Sequence, residues 1–299
     1  MVYLEPDIDS GIASVSPICG CTGGCVYCYI DIKGYNAPQM NSMKVNQVKE
    51  FLMNANGFIS GKEGTFICVG TWGEVFPFKL YLKKESFKWI EELTILQNPI
   101  VIITKKTLNK QEIEEIKSFQ KYDGQITFLL SITSLMRWKE LEPGTSPAMD
   151  RLEMGKLISE EKMNIALFIN PFLKSITDIE LDFILEKCVE KTIRNVIISP
   201  LYLNSVICNK NHLCPAFQKI VSSFSDNNFE NCNHMRNDEY EVVEDPIDDY
   251  MDDIMKKCKI KEIYCWFHYS CFLSNLYRRI NGSQKGKKFC IRCGNCIHE

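Results

Sequence analysis

Between residues 11 and 200, short runs of β-branched and other apolar residues alternate with longer stretches in which apolar positions recur every three or four residues. The runs Gly11 to Pro17, Thr65 to Gly70, Pro99 to Thr104, Ile126 to Thr133, Ile165 to Asn170 and Asn195 to Pro200 predict strands. The stretches between them, Val45 to Asn54, Glu85 to Gln97, Lys110 to Gln120, Pro147 to Lys162 and Thr177 to Lys191, predict helices. Apolar strands joined by amphipathic helices are the sequence form of repeated βα units around a parallel sheet. Six steps fall short of the eight that close a barrel, so the predicted fold class is α/β, a partial (β/α)6 barrel of the TIM type. In such folds, ligands gather at the carboxyl ends of the strands.

After Pro200 this rhythm stops. Cys208, Cys214 and Cys232 stand in a polar stretch, followed by an acidic segment from Asp238 to Asp253 that reads as a solvated face. A helical pattern resumes at Met251 and runs, with interruptions, through Tyr264 to Ile280. The turn-rich basic stretch NGSQKGKK then leads to KFCIRCGNCIHE. These shifts predict a barrel over residues 1–205 and, over 206–299, an insertion with a small cysteine-rich domain.

The composition of the 299-residue chain, 45% hydrophobic and 24% charged, is that of a globular protein and excludes a disordered or low-complexity one. A net charge of -3 supplies no general attraction for a polyanion. A nucleic-acid partner would need a local patch such as Arg278, Arg279, Lys285, Lys287 and Lys288. No apolar run is long enough to span a bilayer, and MVYLEPDIDS carries acids where a signal peptide carries a basic patch. The expectation is a soluble, cytoplasmic protein with no membrane partner. Fifteen cysteines are the anomaly: in a reducing compartment they point to metal binding or thiol chemistry rather than disulfides.

CTGGCVYC places Cys21, Cys25 and Cys28 on one glycine-rich loop directly after the first predicted strand. Three thiolates at this spacing can hold three irons of a 4Fe-4S cube and leave the fourth open. A structural zinc site asks for four closed ligands, usually as two separated pairs, which this triplet does not offer.

With Tyr27 just before its last cysteine, CxxxCxxC resembles the signature of the radical S-adenosylmethionine (radical SAM) enzymes. The resemblance implies a partial barrel and a 4Fe-4S cluster whose open iron chelates S-adenosylmethionine. It also implies one-electron cleavage to a 5′-deoxyadenosyl radical, and an electron donor such as flavodoxin or ferredoxin. From Cys21 to about Ile176 the chain looks most like the spore photoproduct lyase group, through GCTGGCVYCY, the TK of IITKKTL, the SIT after the fourth strand, EPGTSPAMDRL and INPFLKSITD. Carried over residue by residue, the backbone carbonyls of Gly73 and Glu74 would meet the cofactor's amino group. Lys105 and Ser131 would meet its carboxylate and surroundings, Tyr27 would flank the adenine, and Arg151 is a further cofactor contact or else a helix-surface ion pair with Glu142 or Glu153. The lyases return a hydrogen atom from a cysteine just past the second strand. That place falls near Thr71 or Trp72 here, and Cys68 is the nearest thiol.

CIRCGNC sets Cys290, Cys293 and Cys296 at the spacing by which ferredoxins hold three corners of a cube. Cys271, with Gly286 before Cys290, is similar to the pattern that opens auxiliary-cluster domains of other radical SAM enzymes. Cys265, Cys258 and Cys214 are alternatives for the fourth corner. A zinc site built with Cys265, Cys271, His268 or His298 is the competing reading, and Cys208, Cys214 and Cys232 with His212 and His234 could form a third site. The leading expectation is a radical enzyme acting on a peptide or small metabolite with help from a second 4Fe-4S cluster. The alternatives are a photoproduct lyase that repairs DNA and a non-catalytic iron-sulfur or zinc protein that binds a partner.

Overall fold

A computed structural model of the chain describes residues 2–9, 11–28, 30, 37–203, 214–225, 234–237, 240–245 and 247–281. The strands are β1 (Asp7–Asp9), β2 (Ile12–Val15), β3 (Ile18–Cys19), β4 (Gln39–Met40), β5 (Phe66–Val69), β6 (Ile100–Thr104), β7 (Ile126–Ser131), β8 (Asn164–Ile169), β9 (Asn195–Ile198), β10 (Leu201–Leu203), β11 (His234–Asn237), β12 (Tyr240–Asp245) and β13 (Tyr264–Trp266). The helices are α1 (Val45–Asn54), α2 (Leu80–Thr94), α3 (Lys110–Phe119), α4 (Trp138–Leu141), α5 (Ala148–Glu160), α6 (Thr177–Glu190), α7 (Pro215–Ser225), α8 (Asp248–Ile260) and α9 (Tyr269–Asn281).

The main sheet runs β1-β2-β5-β6-β7-β8-β9-β13. Each pairing from β2 to β13 is parallel, and only β1 joins antiparallel. The sheet is open, with helices between successive strands, so the fold is a mixed α/β partial barrel of the TIM type. The six predicted strands each fall within two residues of their expected starts, because most of their residues are buried and their apolar runs are nearly continuous. Local chemistry sets the helix ends. At α3, for example, the Asn109 side chain accepts from the Glu112 N–H while the Glu112 carboxylate accepts from the Asn109 N–H.

The pleat sorts each strand's side chains into two layers. Ile67, Val69, Ile100, Ile102, Phe128, Leu130, Leu167, Ile169, Val196 and Ile198 pack outward against the helices. Phe66, Cys68, Val101, Leu129, Ala166, Phe168 and Ile197 point inward with Trp266. What they meet inside is α9, whose Phe272, Leu273, Leu276 and Tyr277 complete the inner cluster. At its end α9 reaches the loop before β5, where Tyr277 Oη donates to Glu63 O at 3.1 Å and Asn281 Nδ2 to Lys62 O at 3.3 Å. The helix thus plugs the amino-terminal end of the barrel, opposite the end where the strands deliver their carboxyl termini.

Here the structure departs from the sequence reading. Tyr264 to Trp266 form a strand parallel to β9, not part of a helix, so a segment expected in an appendage extends the main sheet. A three-residue strand with one exposed residue carries too little periodicity to announce itself. β10, β12 and β11 form a separate antiparallel sheet in the 201–245 stretch. Among the described residues no helix is long and apolar enough to cross a membrane.

Candidate functional site

Followed upward, the inward-facing rows change character. Phe66 and Cys68 give way to Gly70, Val101 and Ile103 to Lys105, Leu129 to Ser131, Phe168 to Asn170 and Ile197 to Ser199. These upper residues line a cavity of about 300 Å³, together with Cys21, Cys25, Tyr27, Cys28, Gly73 and Glu74. That is the low end of the size range for small-molecule sites, and it lies where an α/β sheet places its ligands.

The cysteine loop is seated backbone against backbone on the loop after β5. Gly20 N–H donates to Trp72 O at 2.9 Å, and a Cβ on Gly73 would stand 2.3 Å from Ile18 O, so no side chain is tolerated there. Inside the loop, Gly23 leaves open the space between two thiols: a Cβ there would lie 3.1 Å from Cys21 Sγ and 3.4 Å from Cys25 Sγ. Gly23 N–H already donates to Cys21 Sγ at 3.0 Å. Among the described residues, no three His, Cys, Asp or Glu side chains are gathered as they would be around one metal ion. Cys21, Cys25 and Cys28 nonetheless line the same cavity, and Gly23 keeps a side chain out of the space beside two of their sulfurs. Burial first, and Glu74 second, push the Cys21 thiol up to about 12, and burial with Glu142 holds the Cys25 thiol well above its ordinary value too. A cationic metal reverses that balance by coordinating the thiolate.

Behind the wall lies a buried charged network centred on Glu142, which is fully buried. Its carboxylate accepts from Arg151 Nη2 at 2.5 Å, from Lys105 Nζ at 3.0 Å and from the Tyr27 hydroxyl. Lys105 Nζ also reaches Ser131 Oγ at 2.5 Å and lies 5.4 Å from the Tyr27 ring centre. Arg151, likewise fully buried, donates to Ser131 O as well. Burial alone would raise the Glu142 pKa, but the Arg151 and Lys105 cations outweigh it and hold the carboxyl at about 2. A buried anion is tolerated because every oxygen is answered by a cation or hydroxyl.

The structure thus brings Cys21, Cys25, Cys28, Tyr27, Gly73, Glu74, Lys105 and Ser131 to one cavity. Arg151 stands behind the wall instead of on it, and its bond to Glu142 is internal, unlike the exposed helix pair that sequence allowed. The Glu74 carboxylate is turned away into the fold, accepting from Thr104 Oγ1 at 2.5 Å and from Lys105 N at 2.9 Å. Cys68 is absent from the cavity wall. It is 1% exposed in the inner apolar cluster, where burial pushes its thiol up to about 11 and a bond with Tyr269 partly offsets this.

Cys290, Cys293 and Cys296 lie outside the described residues, as do Gly286, His298, Cys208, His212, Cys232 and the lysines of the basic stretch. Of their possible partners, Cys271 is half-buried on α9 against the inner cluster, whereas Cys265 is buried in the outer one against Cys258. Cys214, half-buried, packs with the cysteine-loop cluster that also holds Phe217 of α7.

Sequence reasoning missed Glu142 as a hub and Lys106 as a wall residue. Both stood in the quoted motifs, in EPGT and IITKK, and the available signal was a carboxylate within nine residues of an arginine at a strand-rich rim.

No family model matches this chain, and no curated protein matches it. Solved structures do. A cysteine-to-serine mutant of spore photoproduct lyase superposes with a TM-score of 0.63 at 14% identity, over 89% of this chain and 80% of that one. A double mutant of the lyase with bound AdoMet and dinucleoside spore photoproduct gives 0.61 at 13%, over 86% and 76%. SuiB of Streptococcus suis bound to S-adenosylmethionine gives 0.51 at 16%, over 73% and 48%. At these identities the likeness is one of fold: this chain shares the partial barrel of two proteins that have been seen with S-adenosylmethionine.

Proposed function

We propose that this protein is a radical S-adenosylmethionine enzyme. The observation that carries the reading is the convergence of Cys21, Cys25 and Cys28 with Lys105 and Ser131 on one cavity at the carboxyl ends of the parallel strands. That site supports the class, and the substrate is the finer question.

When bound, a 4Fe-4S cluster with S-adenosylmethionine on its open iron supplies one-electron cleavage to a 5′-deoxyadenosyl radical, which takes a hydrogen atom from substrate. The chain's own residues bind and orient. Cys21, Cys25 and Cys28 would each hold one iron. Lys105 and Ser131 would receive the methionine carboxylate, the backbone carbonyls of Gly73 and Glu74 would receive the amino group, and Tyr27 would flank the adenine. Glu142 and Arg151 fix Tyr27 and Lys105 from behind. The apolar inner cluster beneath Ile103 keeps water from the cavity floor.

The substrate in this reading is a peptide or small molecule. A second 4Fe-4S cluster on Cys290, Cys293 and Cys296, with Cys271 as fourth ligand, relays an electron or anchors it, and zinc is the competing occupant. The burial of Cys68 away from the cavity argues against the lyase pattern of a thiol hydrogen donor, and with it against a DNA-repair role.

Anaerobic reconstitution tests the class: uptake of four irons and four sulfides per cluster, and 5′-deoxyadenosine on adding dithionite and S-adenosylmethionine, are expected. Iron-free protein, or retained cleavage in Cys25→Ala, overturns it. Salt-dependent binding to an oligonucleotide would restore the DNA reading.

A further inference from the structure

Among the described residues, Lys106 is a cavity-wall cation whose charge the mechanism above does not use. Its side chain is 2% exposed, and its ammonium donates to Gly144 O and lies 3.4 Å from the Phe78 ring centre. Gly144 N–H in turn donates to Gly23 O at 2.8 Å, and Gly23 is the residue that lies between the Cys21 and Cys25 sulfurs. A lysine is thus pinned, through one peptide unit, against the back of the cysteine cradle.

The surrounding charges make Lys106 different from its neighbours. Lys105 and Arg151 spend their charge on Glu142. Glu74 shares the wall, but its oxygens are occupied by Thr104, Phe76 N–H and Lys105 N–H. Among the described residues the Lys106 ammonium touches a carbonyl and an aromatic face, and the carboxylate that acts on it from nearby is Glu74. Little water reaches it to screen the field, so its charge acts at short range in a medium of low dielectric. Cys21 and Cys25 both feel it electrostatically.

We propose that Lys106 sets the reduction potential of the group held by Cys21, Cys25 and Cys28, favouring its reduced form. Resting on the radical SAM reading, the inference assigns a residue to the electron-uptake step. One electron from a low-potential one-electron donor makes the held group one unit more negative and breaks no bond. A fixed cation beside it stabilises that added charge, since cluster potentials respond to net charge and solvent exposure. The exposed Phe78 ring, 72% accessible, serves as the cover that keeps the ammonium dry. Lys106 touches no reacting atom and is a positioning residue for charge.

The test is a spectroelectrochemical titration of the reconstituted full chain without S-adenosylmethionine. A Cys293→Ala background removes a ligand of any second cluster. Lys106→Met is expected to lower the midpoint so that the ratio of reduced to oxidised cluster at fixed potential falls about tenfold, which is about 59 mV for one electron. Lys106→Arg keeps a permanent charge and should retain the midpoint. Phe78→Leu, at an exposed position where folding is not at stake, should shift it in the same direction by less. Lys106→Met protein with full iron and sulfide but an unmoved midpoint overturns the proposal. If that variant yields no folded protein, an unmoved midpoint in Phe78→Leu overturns it instead. Wild-type protein that takes up no iron would sink the radical SAM reading itself, a different result from either.

Discussion

The same inward-facing rows of side chains build two unlike regions, one above the other. In the lower one, Phe66, Val101, Leu129 and Ala166 meet Leu273 and Leu276 of α9, and the barrel is filled with hydrocarbon. In the upper one, Lys105, Ser131, Asn170 and Ser199 face a cavity backed by Glu142 and Arg151. The lower region gains stability from burial and leaves no space for chemistry. The upper one places charge where burial penalises it, and answers the Glu142 carboxylate with Arg151 and Lys105. Position along a strand, more than residue type, decides which role applies. Cys68 and the Cys21, Cys25 and Cys28 triplet are the same residue type, but only the triplet reaches the cavity.

The contrast can be tested by substitution, starting with the largest effect. Cys25→Ala should abolish S-adenosylmethionine cleavage while leaving the far-ultraviolet circular dichroism of the barrel unchanged. Glu142→Gln should come next, destabilising the protein by on the order of 4 kcal/mol in urea unfolding, because Arg151 is left buried with its partner's charge removed. The native pKa of Glu142, about 2, lies below its ordinary 4.5, so its contribution is complete above pH 4.5 and is lost as pH falls toward 2. At 1.36 kcal/mol per unit, roughly 3 kcal/mol of the wild type's advantage over Glu142→Gln should vanish across that interval, measured by unfolding at successive pH values. Leu273→Ala, in the plug, should cost about 3 kcal/mol through its cavity and leave cofactor affinity intact in the folded protein. The smallest effect is expected from Cys68→Ala, about 1 kcal/mol of stability with cleavage unaltered. Loss of cleavage in that variant would connect the two regions chemically and break the comparison.

Much of the upper region was legible in advance. In the run IITKK the first lysine, Lys105, continues the inward alternation of Val101 and Ile103, and Ser131 does the same at the end of ITFLLS. A period of two and an apolar run suffice to aim those side chains at the mouth. The place of the cysteine triplet at the cavity was equally plain, because it lies on one loop directly after a predicted strand. Glu142, Lys106 and the plug were not legible. Glu142 meets Lys105, Tyr27 and Arg151 across separations of 37, 115 and 9 residues. Its sequence neighbours, Leu141 and Pro143, say nothing of those meetings.

The chain's linear pattern by itself determined the strand and helix order, the open parallel sheet and the cysteine loop at a strand's end, since each depends on periodicity or spacing within a few dozen residues. Only the tertiary structure decided that β13 extends the sheet, that α9 fills the barrel from below, and that a single buried carboxylate gathers Tyr27, Lys105 and Arg151 at one cavity. Those outcomes rest on contacts between distant segments, whose energies depend on burial and partner geometry that no local pattern encodes.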